Sequence, residues 1–256
     1  MLNLATLLES TTHDYPDRLA IIFNDLKLPY KALNAAANQV AAGLASLGIE
    51  KGDKVALSCP NLPYFPIVYY GILKAGAVVV PLNVLLKARE IAYHLADSDA
   101  KAYFCFEGTE QLPMGDMGHA AFQEVDSCQH FFMMTADPAA ASPIEGTTTL
   151  GQLMAGQGPL FDTVQTSPDD TAVILYTSGT TGQPKGAELS HSNMLLNARL
   201  ADSLFGHSDN DVHLIVLPLF HSFGQTVQMN AGFYTAATIS LLPRFDPDAV
   251  LAILQR

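Results

Sequence analysis

From about Leu19 onward, short apolar runs rich in β-branched and aromatic residues alternate with longer segments whose apolar residues recur at helical spacing. The runs cover residues 19–23, 54–59, 77–81, 101–106 and 130–134, and helical segments fall at 30–47, 62–75 and 87–96. Within 30–47, Leu33, Val40, Leu44 and Leu47 form one stripe, and Gly48 supplies a C-terminal stop. Repetition of strand, helix and strand predicts an α/β fold, a mostly parallel sheet covered by helices.

Residues 135–170 break this texture with many Ala, Pro, Gly, Ser and Thr and one short helical candidate at 150–155. A second α/β series follows: a strand at 171–176, a Gly/Thr loop, a helix at 193–205, a strand at 213–219, a helix near 225–234 and a strand at 238–242. The expected organisation is two lobes of mostly parallel sheet flanked by helices. Residues 1–134 would form the first, 135–168 a connecting segment, and 169–256 a second, incomplete one carrying the loop. Asp246-Pro247 then reads as an N-cap and first-turn pair, with Ala249, Val250, Ile253 and Leu254 as an apolar face. The terminus at Arg256 is expected to lie inside or at the end of that helix.

Composition narrows the function. With 49% hydrophobic and 15% charged residues, the 256-residue chain is globular. Its 13 Lys and Arg against 25 Asp and Glu give a formal charge of −12, which repels nucleic acid and anionic membrane. A polyanion would have to be gripped locally, by backbone N–H groups and a few placed side chains. Cys59, Cys105 and Cys128 are odd in number and widely spaced, so buried reduced thiols and a cytoplasmic location are expected. The start lacks a signal peptide's basic region and apolar core. The most apolar stretch, 64–86, is interrupted by Pro66, Lys74, Pro81 and Asn83, so no transmembrane segment is expected.

The chemistry sits in Tyr176-Thr177-Ser178-Gly179-Thr180-Thr181-Gly182-Gln183-Pro184-Lys185-Gly186. Glycines permit positive φ angles and close backbone approach, hydroxyls add donors, and the lysine adds charge, which together make an anion cradle. It is not a Walker loop, because its glycines stand three apart and Lys185 precedes Gly186 rather than Ser or Thr. A generic Ser/Thr/Gly cluster would be a flexible surface turn; an ordered string of eleven favours the cradle.

This string resembles the phosphate-loop signature of the adenylate-forming superfamily, which includes acyl-CoA synthetases, coumarate-CoA ligases, luciferases and peptide-synthetase adenylation domains. Three more segments resemble that family in the expected order: Leu28-Pro29-Tyr30-Lys31-Ala32-Leu33, Leu73-Lys74-Ala75-Gly76-Ala77-Val78-Val79-Val80-Pro81-Leu82-Asn83, and Leu217-Pro218-Leu219-Phe220-His221-Ser222-Phe223-Gly224. The resemblance covers essentially the whole chain. It implies the N-terminal part of an ATP-dependent acyl-CoA synthetase, closest in kind to medium- and long-chain fatty-acid-CoA ligases, with an aryl or coumarate-type ligase as the runner-up. The substrates it implies are ATP, a carboxylate and coenzyme A, with Mg²⁺ as cofactor.

By the same resemblance, Thr177, Ser178, Gly179, Thr180, Thr181, Gly182 and Lys185 would hold the β- and γ-phosphates, with Thr177 near the metal. His221 by residue type alone would be structural. The resemblance places it beside the acyl group or α-phosphate as the catalytic candidate, with Phe220, Phe223 and Gly224 completing the substrate pocket. His191 is read as orienting its turn through a hydrogen bond, and Asp169-Asp170 and Asp209-Asn210-Asp211 as turn residues rather than metal ligands. Tyr64, Tyr69 and Tyr70 are read as packing. Family motifs that supply an acid for Mg²⁺, an acid for the ribose and a lysine at the α-phosphate are not found in residues 1–256, so this chain alone is expected to be inactive. A non-catalytic α/β binding module derived from the family is the alternative of a different class. Apolar surface left uncovered makes a homodimer an expected state.

Overall fold

The computed structural model describes residues 2–177, 182–208 and 210–255. In chain order the elements are α1 (Thr6–Asp14), β1 (Leu19–Phe23), β2 (Leu26–Pro29), α2 (Tyr30–Ser46), β3 (Lys54–Ser58), α3 (Tyr64–Lys74), β4 (Val78–Pro81), α4 (Ala88–Asp97), β5 (Ala100–Phe106), α5 (Met114–Phe122) and β6 (His130–Met134). There follow β7 (Thr148–Thr149), α6 (Leu150–Met154), β8 (Thr171–Thr177), β9 (Lys185–Ser190), α7 (His191–Phe205), β10 (Val212–Ile215), a π-helical turn (Gly224–Asn230) running into α8 (Ala231–Tyr234), β11 (Thr238–Leu241) and α9 (Pro247–Leu254).

The strands make two sheets. The larger has the order β7-β6-β5-β3-β4-β8-β9 and is parallel except for the β8–β9 hairpin at its edge. The smaller has the order β10-β11-β1-β2, parallel but for β1–β2. Central strands of a parallel sheet are covered on both faces, which is why β4 is Val-Val-Val-Pro with every residue buried. α2 lies on β1 and β2, α3 lies on β3 and β4, and the two helices pack on each other, so they join the sheets. A Cβ on Gly71 would stand 2.6 Å from Val40 Cγ1, and the missing side chain is what allows that close α2–α3 approach.

The pattern-based fold class, parallel sheet flanked by helices, matches this architecture. The division at 135–168 does not follow the sheets. β8 and β9, from residues 169–256, extend the large sheet, whereas β1 and β2, from residues 1–134, complete the small one. Hydrophobic periodicity identifies strands but not their partners, and these pairings are remote in sequence: Val79 lies beside Val173, and Ile21 beside Ile239.

The helix ends follow their sequence signals. Ser190 caps α7 by accepting from the Asn193 N–H (3.2 Å), and Asp246 caps α9 by accepting from the Ala249 N–H (2.8 Å). The three cysteines are free and buried; Cys105 and Cys128 are pushed up to about 12 by burial. Tyr69 and Tyr70 are core residues, and Tyr64 donates its hydroxyl to the Thr135 carbonyl (2.9 Å).

Candidate functional site

The Gly/Thr string picked out in the sequence connects β8 to β9, which pair as an antiparallel hairpin. Thr177 ends β8 and stands directly across from Lys185, which opens β9, so a hydroxyl and an ammonium flank the mouth of the turn. Both side chains are exposed, and Lys185 has no ion-pair partner among the described residues. Gly182 has φ +89°, the left-handed region that glycine occupies without strain. Ser178, Gly179, Thr180 and Thr181 lie outside the described residues.

The hairpin overhangs a cleft of about 620 Å³. Thr177, Gly182, Gln183 and Pro184 of the hairpin line it, with Pro81, Leu82 and Asn83 at the C-terminal end of β4, Arg89, Glu90, Tyr93 and His94 of α4, and Phe220 and His221. A cleft beyond the carboxyl ends of parallel strands is where open α/β sheets bind ligands.

His221 is held by a tight turn. Its N–H donates to the Pro218 carbonyl (3.1 Å), and its Nδ1 accepts from the Phe223 N–H (3.3 Å), so a neutral ring carries its proton on Nε2, ready to donate to an oxygen. Gly224 makes the turn possible, because a Cβ there would meet the Pro218 carbonyl oxygen at 2.2 Å. Phe220 joins His221 in the cleft wall, whereas Phe223 is 45% exposed and, like Gly224, is not among the residues lining the cleft. Lys185 is likewise at the hairpin mouth but not on the cleft wall.

The wall supplied by α4 is what residue reasoning missed. Tyr93 donates its hydroxyl to the Pro184 carbonyl (2.9 Å), and the Tyr176 hydroxyl donates to Asp97 Oδ2 (2.7 Å). The His94 and Tyr176 rings meet edge to face with centroids 4.3 Å apart. Burial and the nearby Asp97 carboxylate push the Tyr176 phenol well up. The available signal was α4's own pattern: Ile91, Ala92 and Leu95 are buried, which turns Arg89, Glu90 and Tyr93 outward.

His191 is almost wholly buried, and its Nδ1 accepts from the Leu4 N–H (3.0 Å), tying the N-terminal segment to α7. Desolvation lowers its pKa to about 4, against a smaller opposing pull from Asp170. Asp170 accepts from the Ser167 N–H (2.8 Å) and pairs with Lys51 (2.8 Å), and Asp211 accepts from the Ser208 N–H (2.9 Å); both serve their turns. A second groove of about 700 Å³ runs between α1, α7 and α8, with Arg18 over the Tyr15 ring at 3.9 Å.

A family profile described as AMP-binding enzyme matches residues 8–256. The chain is 31% identical over 255 residues to the medium-chain fatty-acid–CoA ligase of Escherichia coli K12, covering 99% of this chain and 44% of that protein. It is also 31% identical over 253 residues to the crotonobetaine/carnitine–CoA ligase of Salmonella paratyphi C, covering 96% and 48%. Among solved structures, ATP-bound MatB from Rhodopseudomonas palustris superposes with a TM-score of 0.83 at 29% identity, covering 100% of this chain and 48% of that one. The anthranilate CoA ligase AuaEII, in complex with anthranoyl-AMP, superposes at 0.88 with 24% identity, covering 98% and 47%, a likeness of fold. The chain thus spans about half the length of the curated relatives it matches.

Proposed function

The chain belongs to the AMP-binding enzyme family, and from that premise we propose that it is the ATP-gripping part of an acyl-CoA synthetase acting on a medium- to long-chain fatty acid. The observation that supports this most directly is the hairpin mouth. Thr177 and Lys185 face each other across a glycine-bearing turn, and Thr177, Gly182 and His221 line the same cleft.

In the first half-reaction a carboxylate oxygen attacks the α-phosphorus of ATP, and the bond to the β,γ-pyrophosphate breaks. Thr177, Gly182 and Lys185, with Ser178, Gly179, Thr180 and Thr181, hold the departing phosphates. Lys185 supplies a mobile positive charge where negative charge accumulates. His221, as an Nε2–H donor, orients the carboxylate or an α-phosphate oxygen beside Phe220, and Gly224 shapes the turn that presents it. In the second half-reaction the sulfur of coenzyme A attacks the acyl carbon and AMP leaves. Thr177 offers a hard hydroxyl oxygen at the mouth, which fits a magnesium ion carried on the nucleotide; there it would neutralise phosphate charge. The 256-residue chain by itself binds nucleotide weakly and does not complete ligation, because the family acids and lysine that complete the site have no counterpart in its sequence.

Pyrophosphate titration of this chain by calorimetry tests the site. Lys185→Ala is expected to weaken affinity about tenfold, the loss of one charge-assisted contact. Equal binding by the variant and the unaltered chain would remove the phosphate role. Pyrophosphate release with octanoate, palmitate, benzoate and crotonobetaine, assayed in a protein extended to the relatives' length, tests the acyl class. Preference for benzoate would move the reading to the aryl ligases.

A further inference from the structure

Resting on the phosphate-binding reading of the hairpin, we propose that α4 is the strut that positions it, with Tyr93 and Tyr176 as positioning residues. β9 is the edge strand of the large sheet, and Lys185, Gly186, Ala187 and Glu188 are all exposed, so the sheet supports the hairpin from the β8 side alone. A hairpin held by one edge splays at its turn unless something braces it.

The bracing contacts come from one face of α4. Tyr93 and Asp97 stand four residues apart and therefore lie one above the other on the helix. Tyr93 takes hold of the carbonyl of Pro184, the residue before Lys185; Asp97 takes hold of the hydroxyl of Tyr176, the residue before Thr177. Each side chain flanking the anion site is thus fixed through its immediate chain neighbour. The His94 ring, wedged between these two contacts against Tyr176, is itself fixed by its Nδ1–H, which donates to the Glu90 carbonyl (2.6 Å). Gly186 leaves room for this arrangement, since a Cβ there would come within 2.8 Å of Ile174 Cγ2 and 3.3 Å of the Tyr176 ring.

The strut has a firm base. Ile91, Ala92, His94 and Leu95 of α4 are buried, the helix packs on α5 and β5, and Glu90 caps its first turn by accepting from the Lys87 N–H (2.8 Å). Neither tyrosine needs to touch the ligand for this role. Their work is to keep Thr177 and Lys185 at a spacing set before the anion arrives, which lowers the ordering cost of binding.

The test uses Tyr93→Phe, Tyr176→Phe and the double variant of this chain, each of which removes a hydroxyl and keeps the ring. Hydrogen exchange of the amides at 182–190, thermal midpoint and pyrophosphate affinity are measured together. Amide exchange at 182–190 is expected to rise several-fold in each single variant and further in the double one, with the midpoint held within about 2 °C. Pyrophosphate affinity is expected to fall about three- to tenfold per hydroxyl. Unchanged exchange at 182–190 in the double variant overturns the proposal, as does a change spread over the whole chain with a lowered midpoint. Lys185→Ala separates the two readings. If it binds pyrophosphate as the unaltered chain does, the anion site is wrong, while the exchange data still decide whether α4 braces the hairpin.

Discussion

His191 is neutral in the folded chain down to about pH 4, because charging it would strand an imidazolium in the interior and end its acceptance of the Leu4 N–H. The unfolded ring titrates near its ordinary value of 6.5, so the unfolded state binds the extra proton first. The sign is that of a depressed base: the contribution is fully present above about pH 6.5 and is lost as pH falls toward 4, on the order of 2–3 kcal/mol in all. Urea midpoints across that range should fall for the unaltered chain and flatten for His191→Gln, whose amide oxygen can still accept from Leu4. Lys74 is the other buried group with a single answering charge. Burial lowers its pKa, and Glu9 opposes that shift while also accepting from the Thr163 hydroxyl. Glu9→Gln leaves the ammonium unanswered and should cost about 2–4 kcal/mol, less than a fully buried pair because water reaches Glu9. Adding Lys74→Met should restore most of that loss in the same denaturation assay.

At the scale of elements, the turn that presents His221 depends on Gly224. Gly224→Ala would drive a methyl group into the Pro218 carbonyl and should destabilise by about 1–3 kcal/mol, read as a lower thermal midpoint. The string from Leu217 to Gly224 stood out only by its resemblance to the family, and a turn was not read there, because the apolar run through Leu219 reads as strand. The element after it was legible only as a helix: Gln225 and Asn230 give no hint that the backbone widens into π geometry. β10 was expected to run to Leu219 and stops at Ile215, before Pro218. β9 was missed, because Lys-Gly-Ala-Glu-Leu-Ser is poor in β-branched residues and takes its shape from pairing with β8. Missing that strand hid the hairpin, and so hid the α4 wall. The position of the turn between β8 and β9 was readable from its glycines and hydroxyls; the α4 contacts to it required the long-range pairing.

Over the whole molecule, apolar side chains remain uncovered. Leu196, Leu200 and Leu204 repeat every fourth residue along α7, Phe205 adds a 75% exposed ring, and α9 has no buried residue while showing Leu251 and Leu254 to solvent. Faces of that kind drive association. Sedimentation velocity should show concentration-dependent self-association, and Leu200→Glu with Leu204→Glu should return the chain toward monomer. The sheet order has a different consequence, one for synthesis. β1 pairs with β2 at once, but its other neighbour, β11, is 215 residues further along (Phe23 to Thr238), and among the described residues β11 is also the only partner of β10. On the ribosome the first hairpin must therefore wait with a bare edge until β11, ending at Leu241, has been made. The large sheet has the opposite schedule: β3, β4, β5 and β6 are complete by Met134. Within residues 1–256, the core of the large sheet should therefore form first, and β1 should meet β11 last.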